Sequence, residues 1–246
     1  MASLGNKASF RVPTEGGITE HGLINLLARV AKQAGMESSA MVEDATFMDL
    51  GSEGGDRVLF AAQRWQSLAY SWGVESSKYR HERAVAKLDA VLREEGSIEE
   101  NRNNLADRVQ YMCADTSEIP LAAVLPRIGQ SSKRYLVLLK SCMFDKDRQC
   151  SVLKSLDLHF TSKQEVFIFS SVRLEEAALC FSRQALIWYE QSIEVSWSPG
   201  ACVWQVIWLP SHGNALDIDL WKASLGSKAS HQQVPCQKCI PRVPTP

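Results

Sequence analysis

Between Thr46 and Glu75 the chain reads as strand, turn, helix and strand, with an acid closing each strand. The first run ends in Asp49-Leu50-Gly51-Ser52-Glu53-Gly54-Gly55-Asp56. Residues 57–66 then have helical spacing, and residues 69–74 form a second apolar run that closes on Glu75. This is a nucleotide-binding βαβ unit. Small residues in its turn let the backbone approach a ligand, and an acid about twenty residues on can accept hydrogen bonds from ribose hydroxyls. The turn lacks a clean G-x-G-x-x-G, so the pattern points to S-adenosylmethionine rather than to NAD.

The rest of the chain repeats the alternation. Leu23, Leu26, Leu27, Val30, Ala31 and Ala34 recur at helical spacing before Gly35. Residues 78–95 form an amphipathic helix with Ala84, Val85, Leu88, Val91 and Leu92 on one face. Strands are expected at 109–113, 135–139 and 165–169, and helices at 148–156 and 174–189. Two final strands, 192–197 and 202–209, flank Ser198-Pro199-Gly200 and imply an antiparallel hairpin. The expected fold is α/β, a Rossmann-like seven-stranded sheet with an antiparallel hairpin edge, as in class I methyltransferases. Residues 1–20 read as an opening segment with a cofactor loop, 21–210 as the domain, and 211–246 as a disordered tail.

Composition removes several alternatives. The 246 residues are 45% hydrophobic and 22% charged, which suits a globular domain with a full core. A formal net charge of −1 gives no global attraction to nucleic acid or to membrane. Weak polyanion contact is left to the basic tail, which carries Lys222, Lys228, Lys238 and Arg242. Seven scattered cysteines, without a secretory pattern near Met1, read as reduced thiols of an intracellular protein. Cys236 and Cys239 form a lone C-x-x-C with no second ligand pair, and His21, His81, His159 and His212 lack metal-ligand spacing. No metal site is expected.

Several ordered blocks give a more specific resemblance. Glu15-Gly16-Gly17-Ile18-Thr19 lies where one family has a Tyr-Gly-Glu loop over its cofactor. Asp49-Leu50-Gly51-Ser52 and Gly73-Val74-Glu75 are identical to that family's motifs. Residues 135–139 lead into Lys140-Ser141-Cys142-Met143-Phe144, where the family has Asn-Asn-Phe-x-Phe. Phe167-Ile168-Phe169-Ser170-Ser171 resembles its Ile-Val-Ser-Ser-Lys strand, and Val195-Ser196-Trp197-Ser198 with Trp204 resembles its Val-Ser-Trp-Thr hairpin. From about residue 10 to 209 the chain resembles the Dot-one (disruptor of telomeric silencing) family of non-SET histone lysine methyltransferases.

The resemblance implies an S-adenosylmethionine-dependent protein-lysine methyltransferase, nuclear and acting on the disc-face lysine of histone H3 in nucleosomes. It assigns Gly16, Thr19, Asp49, Gly51, Ser52, Gly55, Asp56, Glu75 and Asp115 to the cofactor. It assigns Lys140, Ser141, Phe144, Trp197 and Trp204 to the reaction centre and lysine channel. Methyl transfer needs an uncharged amine in line with the methyl group, and a narrow apolar channel disfavours the ammonium by desolvation. Aromatic walls would also recruit the cationic side chain. Trp208 is expected to be packing only, and the basic stretch 78–83 to be a solvated helix face.

The chain departs from the family at its motif glycine, which is Glu53, and at its first asparagine, which is Lys140 or, one residue on, Ser141. These changes favour an inactive scaffold with the same fold; a third reading, a methyltransferase for another protein or small molecule, would be supported by hairpin tryptophans buried away from the pocket.

Overall fold

The computed structural model describes residues 17–94, 105–115, 132–139, 146–161, 163–171, 174, 180–183, 185–196 and 202–211. Seven strands form one sheet: β1 (Ala45–Leu50), β2 (Tyr70–Glu75), β3 (Val109–Cys113), β4 (Arg134–Leu139), β5 (Glu165–Ser170), β6 (Leu186–Ile193) and β7 (Cys202–Leu209). Their spatial order is β3-β2-β1-β4-β5-β7-β6. The first five run parallel, and β7 enters antiparallel between β5 and β6. The helices among the described residues include α1 (Glu20–Gln33), α2 (Ser38–Val42), α3 (Asp56–Arg64), α4 (Lys78–Glu94) and α5 (Lys146–His159).

In the central strands β4 and β5, residues 135–139 and 166–169 are apolar because both faces of the sheet are covered. Alternation sends Leu136, Leu138, Phe167 and Phe169 to one core with α1 and α2. Tyr135, Val137, Val166 and Ile168 go to the other, with Val152, Leu153 and Leu156 of α5. A third cluster joins Val58, Leu59 and Ala62 of α3 to Leu88, Val91 and Leu92 of α4. Val85, expected on the same face of α4, is instead exposed.

Helix α1 begins where Thr19 Oγ1 accepts the Gly22 N–H at 3.0 Å. Its stripe Leu23, Leu26, Leu27, Val30 and Ala31 is fully buried, each leucine stabilising the fold by about 1.5–3 kcal/mol. It stops at Gly35, whose φ of 72° suits a residue without Cβ. The short helix α2 that follows has no counterpart in the expected elements.

One expectation is corrected. The helix expected at 174–189 is not formed over its C-terminal part, where β6 runs from Leu186 to Ile193. The aromatic and branched residues of 186–193 happen to fit a helical spacing, but pairing with β7 along the sheet edge decides their conformation. The strand expected at 192–197 therefore starts earlier, and residues 194–196 leave it as an irregular segment. The antiparallel hairpin itself is present.

Candidate functional site

The strand order reverses at β1, between β2 and β4. In open α/β sheets the crevice beyond the carboxyl ends of the strands at such a point is the ligand site. Asp49 lies near the end of β1 opposite Gly73, and Glu75 closes β2. The turn between β1 and α3 is built from three left-handed residues: Gly51 at φ 90°, Glu53 at 52° and Gly55 at 77°. The N–H groups of Gly51 and Ser52 both donate to the Val74 carbonyl, at 2.8 and 3.1 Å.

Glu53 replaces a glycine by resemblance, and its backbone retains the conformation that glycine adopts without cost. Its N–H donates to Glu75 Oε2 at 2.9 Å, while the Ser77 N–H donates to Oε1 at 2.8 Å. Glu75 is therefore held by one backbone donor on each oxygen, and each oxygen keeps acceptor capacity for a ligand hydroxyl.

The other glycines permit close packing. A Cβ on Gly73 would lie 2.8 Å from both Ser52 Oγ and Tyr111 Cδ1, and one on Gly55 would lie 2.6 Å from Tyr111 Cε1. The Tyr111 hydroxyl donates to the Gly55 carbonyl at 2.8 Å. Burial, with the negative charges of Asp56 and Asp49, pushes the Tyr111 phenol well above its ordinary range. It remains a protonated donor.

Asp49 is completely buried, and Arg57 Nε donates to its Oδ2 at 2.8 Å. A second guanidinium nitrogen, Nη2, lies 3.5 Å from Glu53 Oε2. Burial pulls the Arg57 pKa down, but attraction and hydrogen bonding to Asp49, then to Glu53, outweigh it and leave it raised. The three side chains form one ion cluster with Arg57 charged.

Above this cluster lies a cleft of about 290 Å³. Glu53 and Arg57 line it together with Gly17 and Ser196, and with Arg80 and Arg83 of α4. The Gly17 N–H donates to Ser196 Oγ at 3.0 Å, and the Ser196 N–H returns a bond to the Gly17 carbonyl at 2.9 Å. Ile18 pairs with Val195 in an isolated antiparallel bridge. A Cβ on Gly17 would fall 2.0 Å from Arg57 Nη1, so a larger residue there would displace the guanidinium.

The solved structures similar to this chain include the methyltransferase domain of bacterial CtHen1-C, at 15% identity and a TM-score of 0.50, covering 78% of this chain and all of that one (100%). TrmN from Thermus thermophilus aligns at 13% identity and a TM-score of 0.51, over 77% of this chain and 48% of that one. The fold is that of class I methyltransferases. No protein-family model and no curated protein matches the sequence.

Within this methyltransferase fold the expected residues separate into groups. Asp49, Gly51, Ser52, Gly55, Asp56 and Glu75 converge on the turn between β1 and α3 and on the end of β2. Asp56 and Thr19 line the cleft; Asp49 and Glu75 are buried and do not line it. Asp115 follows β3, beside the end of β2, and is half-buried. Gly16, Lys140, Ser141, Phe144 and Trp197 lie outside the described residues, as do Cys236, Cys239 and the tail beyond 211.

Trp204, expected as a channel wall, is 3% exposed in the core that contains Leu23, Leu26 and Val206, and it does not line the cleft. It faces inward because its strand is the penultimate one of the sheet, covered by α1. Trp208 packs as expected, stacked on Phe167 with centroids 5.4 Å apart. The stretch 78–83 is corrected in part: Lys78 and Glu82 are solvated, but Arg80 and Arg83 border the cleft.

Sequence reasoning missed Arg57, Ser196 and Tyr111. Arg57 had a readable signal, since it stands one helical turn after Glu53 and directly follows the motif. Tyr111 had none, because its contact with Gly55 spans 56 residues.

Proposed function

We propose that this chain binds S-adenosylmethionine at the carboxyl ends of β1 and β2 and transfers its methyl group to an acceptor. The observation that carries the reading is Glu75, which closes β2 with each carboxylate oxygen fixed by one backbone N–H, where a ribose diol would be received. The surroundings fit such a group. Gly73 and Gly55 leave no space between the turn and Tyr111, and the buried Ser52 hydroxyl has no hydrogen-bond partner among the described residues. When bound, the sulfonium supplies an electrophilic methyl. The residues of the chain would hold the ligand and exclude water, with no covalent intermediate on the protein.

The ordered sequence blocks support a finer reading: a lysine of histone H3 in the nucleosome as acceptor, and a nuclear location. Two of those blocks, Gly17–Thr19 and Glu194–Ser196 by number, are hydrogen-bonded to each other at the cleft. A second reading, methylation of another protein or of a small molecule, is favoured by Trp204, whose burial among core residues removes one aromatic wall from a lysine channel.

The test is calorimetric titration with S-adenosylmethionine and with its demethylated product, followed by transfer of labelled methyl to nucleosomes. Micromolar binding and labelled histone H3 support the finer reading. Binding without nucleosome labelling supports the second, and no binding by folded protein rejects methyl transfer in favour of a scaffold.

A further inference from the structure

Glu53 is the departure that most opposes an anionic ligand, yet in the structure its charge is already answered. Arg57 stands between two carboxylates and treats them differently. Nε meets the fully buried Asp49 at 2.8 Å, an ordinary charge-assisted hydrogen bond, whereas the contact of Nη2 with Glu53 is longer, at 3.5 Å. Asp49 therefore fixes the guanidinium, and Glu53 is the looser partner. Both Arg57 and Glu53 line the cleft, whereas Asp49 does not. A planar guanidinium offers several N–H donors suited to carboxylates, with Nε committed to Asp49 and Nη2 turned to Glu53.

We propose that Arg57 is the anchor for the α-carboxylate of the methionine portion of S-adenosylmethionine, and that Glu53 is an internal surrogate displaced when the ligand binds. The inference rests on the cofactor reading above. It turns Glu53 from a block into a competitor: the side chain that occupies the anchor is chemically the same group as the one that must replace it. Exchange keeps Arg57 paired at every stage, so no buried cation is left without a counter-charge. Glu53 can leave because only its side chain must move. Its backbone stays tied to Glu75 through the 2.9 Å bond.

The experiment measures the affinity of full-length wild type and Glu53→Gln for three probes by calorimetry. They are S-adenosylmethionine, its decarboxylated analogue, and 5′-methylthioadenosine, which lacks the whole amino-acid end. Removing the competing charge should tighten S-adenosylmethionine by roughly tenfold, the scale of one charge-assisted hydrogen bond. The decarboxylated analogue and 5′-methylthioadenosine should not tighten. The ratio of the S-adenosylmethionine to the decarboxylated affinity therefore rises about tenfold in the variant.

An unchanged ratio, with all three probes bound, overturns the anchor and leaves the cofactor reading standing. Failure of every probe to bind folded wild type and folded variant overturns both. Glu53→Gln keeps the side-chain length and the backbone bond to Glu75, and its folding is checked by its thermal transition.

Discussion

The backbone N–H of Glu53 and the carboxylate of Glu75 are 2.9 Å apart, so a loop residue in the left-handed region is tied to the last residue of β2. The turn after β1 and the acid that ends β2 thus hold each other. Changing one moves the other.

Replacing Glu53 with glycine should relieve the left-handed backbone. A side chain in that region costs about 1–2 kcal/mol, partly offset by the greater freedom of glycine in the unfolded chain. The denaturant midpoint is expected to rise by an amount equivalent to roughly 0.5–1 kcal/mol. A lower midpoint would mean that the Glu53 side chain contributes more through Arg57 than its backbone loses.

Glu75→Ala leaves the N–H groups of Glu53 and Ser77 without their acceptor. We expect a stability loss of about 1–3 kcal/mol in chemical denaturation. Affinity for S-adenosylmethionine should drop at least tenfold, more than the loss of fold accounts for at temperatures where the variant remains native. Unchanged affinity would remove Glu75 from the site.

At Gly73 the added methyl of Ala would meet Ser52 and Tyr111 at 2.8 Å. Gly73→Ala is expected to cost about 1–3 kcal/mol by overpacking. Combining it with Tyr111→Leu should recover part of that cost, and a double-mutant cycle measures how much. A purely additive cycle would show that the crowding is relieved elsewhere.

Burial lowers the His159 pKa, where its ring packs against Tyr135 and Phe160. The unfolded chain therefore takes up a proton more readily than the folded one. Stability contributed by neutral His159 is present above the unfolded value of about 6.5 and is lost as pH falls toward the lower folded value. Denaturation midpoints measured across that window should decline toward acid, and the decline should flatten in His159→Asn. An equal slope in both proteins would assign the effect to other groups.

At the opposite end of the sheet, Glu165 accepts from Arg134 Nε at 2.6 Å and from Trp208 Nε1 at 3.1 Å. Glu165→Ala strands both donors, and a loss of about 3 kcal/mol is expected from thermal or urea unfolding. Ligand affinity should be unaffected, since this network lies at the starts of β4 and β5. A change in affinity at constant fold would show that the two ends are coupled.

The sheet was legible where burial imposes pattern. Residues 135–139 of β4 and 166–169 of β5 are apolar because both faces are covered, and the acids Asp49 and Glu75 stand at the ends of β1 and β2. β6 was not legible, because its sequence satisfies helical spacing and only pairing with β7 overrides it. The positions of Asp49 and Glu75 could be read from local motifs, since both stand at strand ends. The burial of Trp204 could not, because the direction in which an edge-hairpin side chain points depends on where α1 packs. Nor does a local motif reveal that Glu53 would share Arg57 with Asp49, although its one-turn spacing from Arg57 is compatible with such a pair.

The pairing of Gly17 with Ser196 joins positions 179 residues apart in the chain. That separation sets an order of events during synthesis. The acids of β1 and β2 emerge early and can adopt their turn from local contacts, but this part of the cleft wall has no partner until the last hairpin has been made. Closing so long a loop is slow compared with forming the βαβ unit. A nascent or truncated chain lacking residues beyond about 190 would carry the motif acids with this side of the pocket open. Ligand binding, rather than motif content, would therefore report completion of the fold.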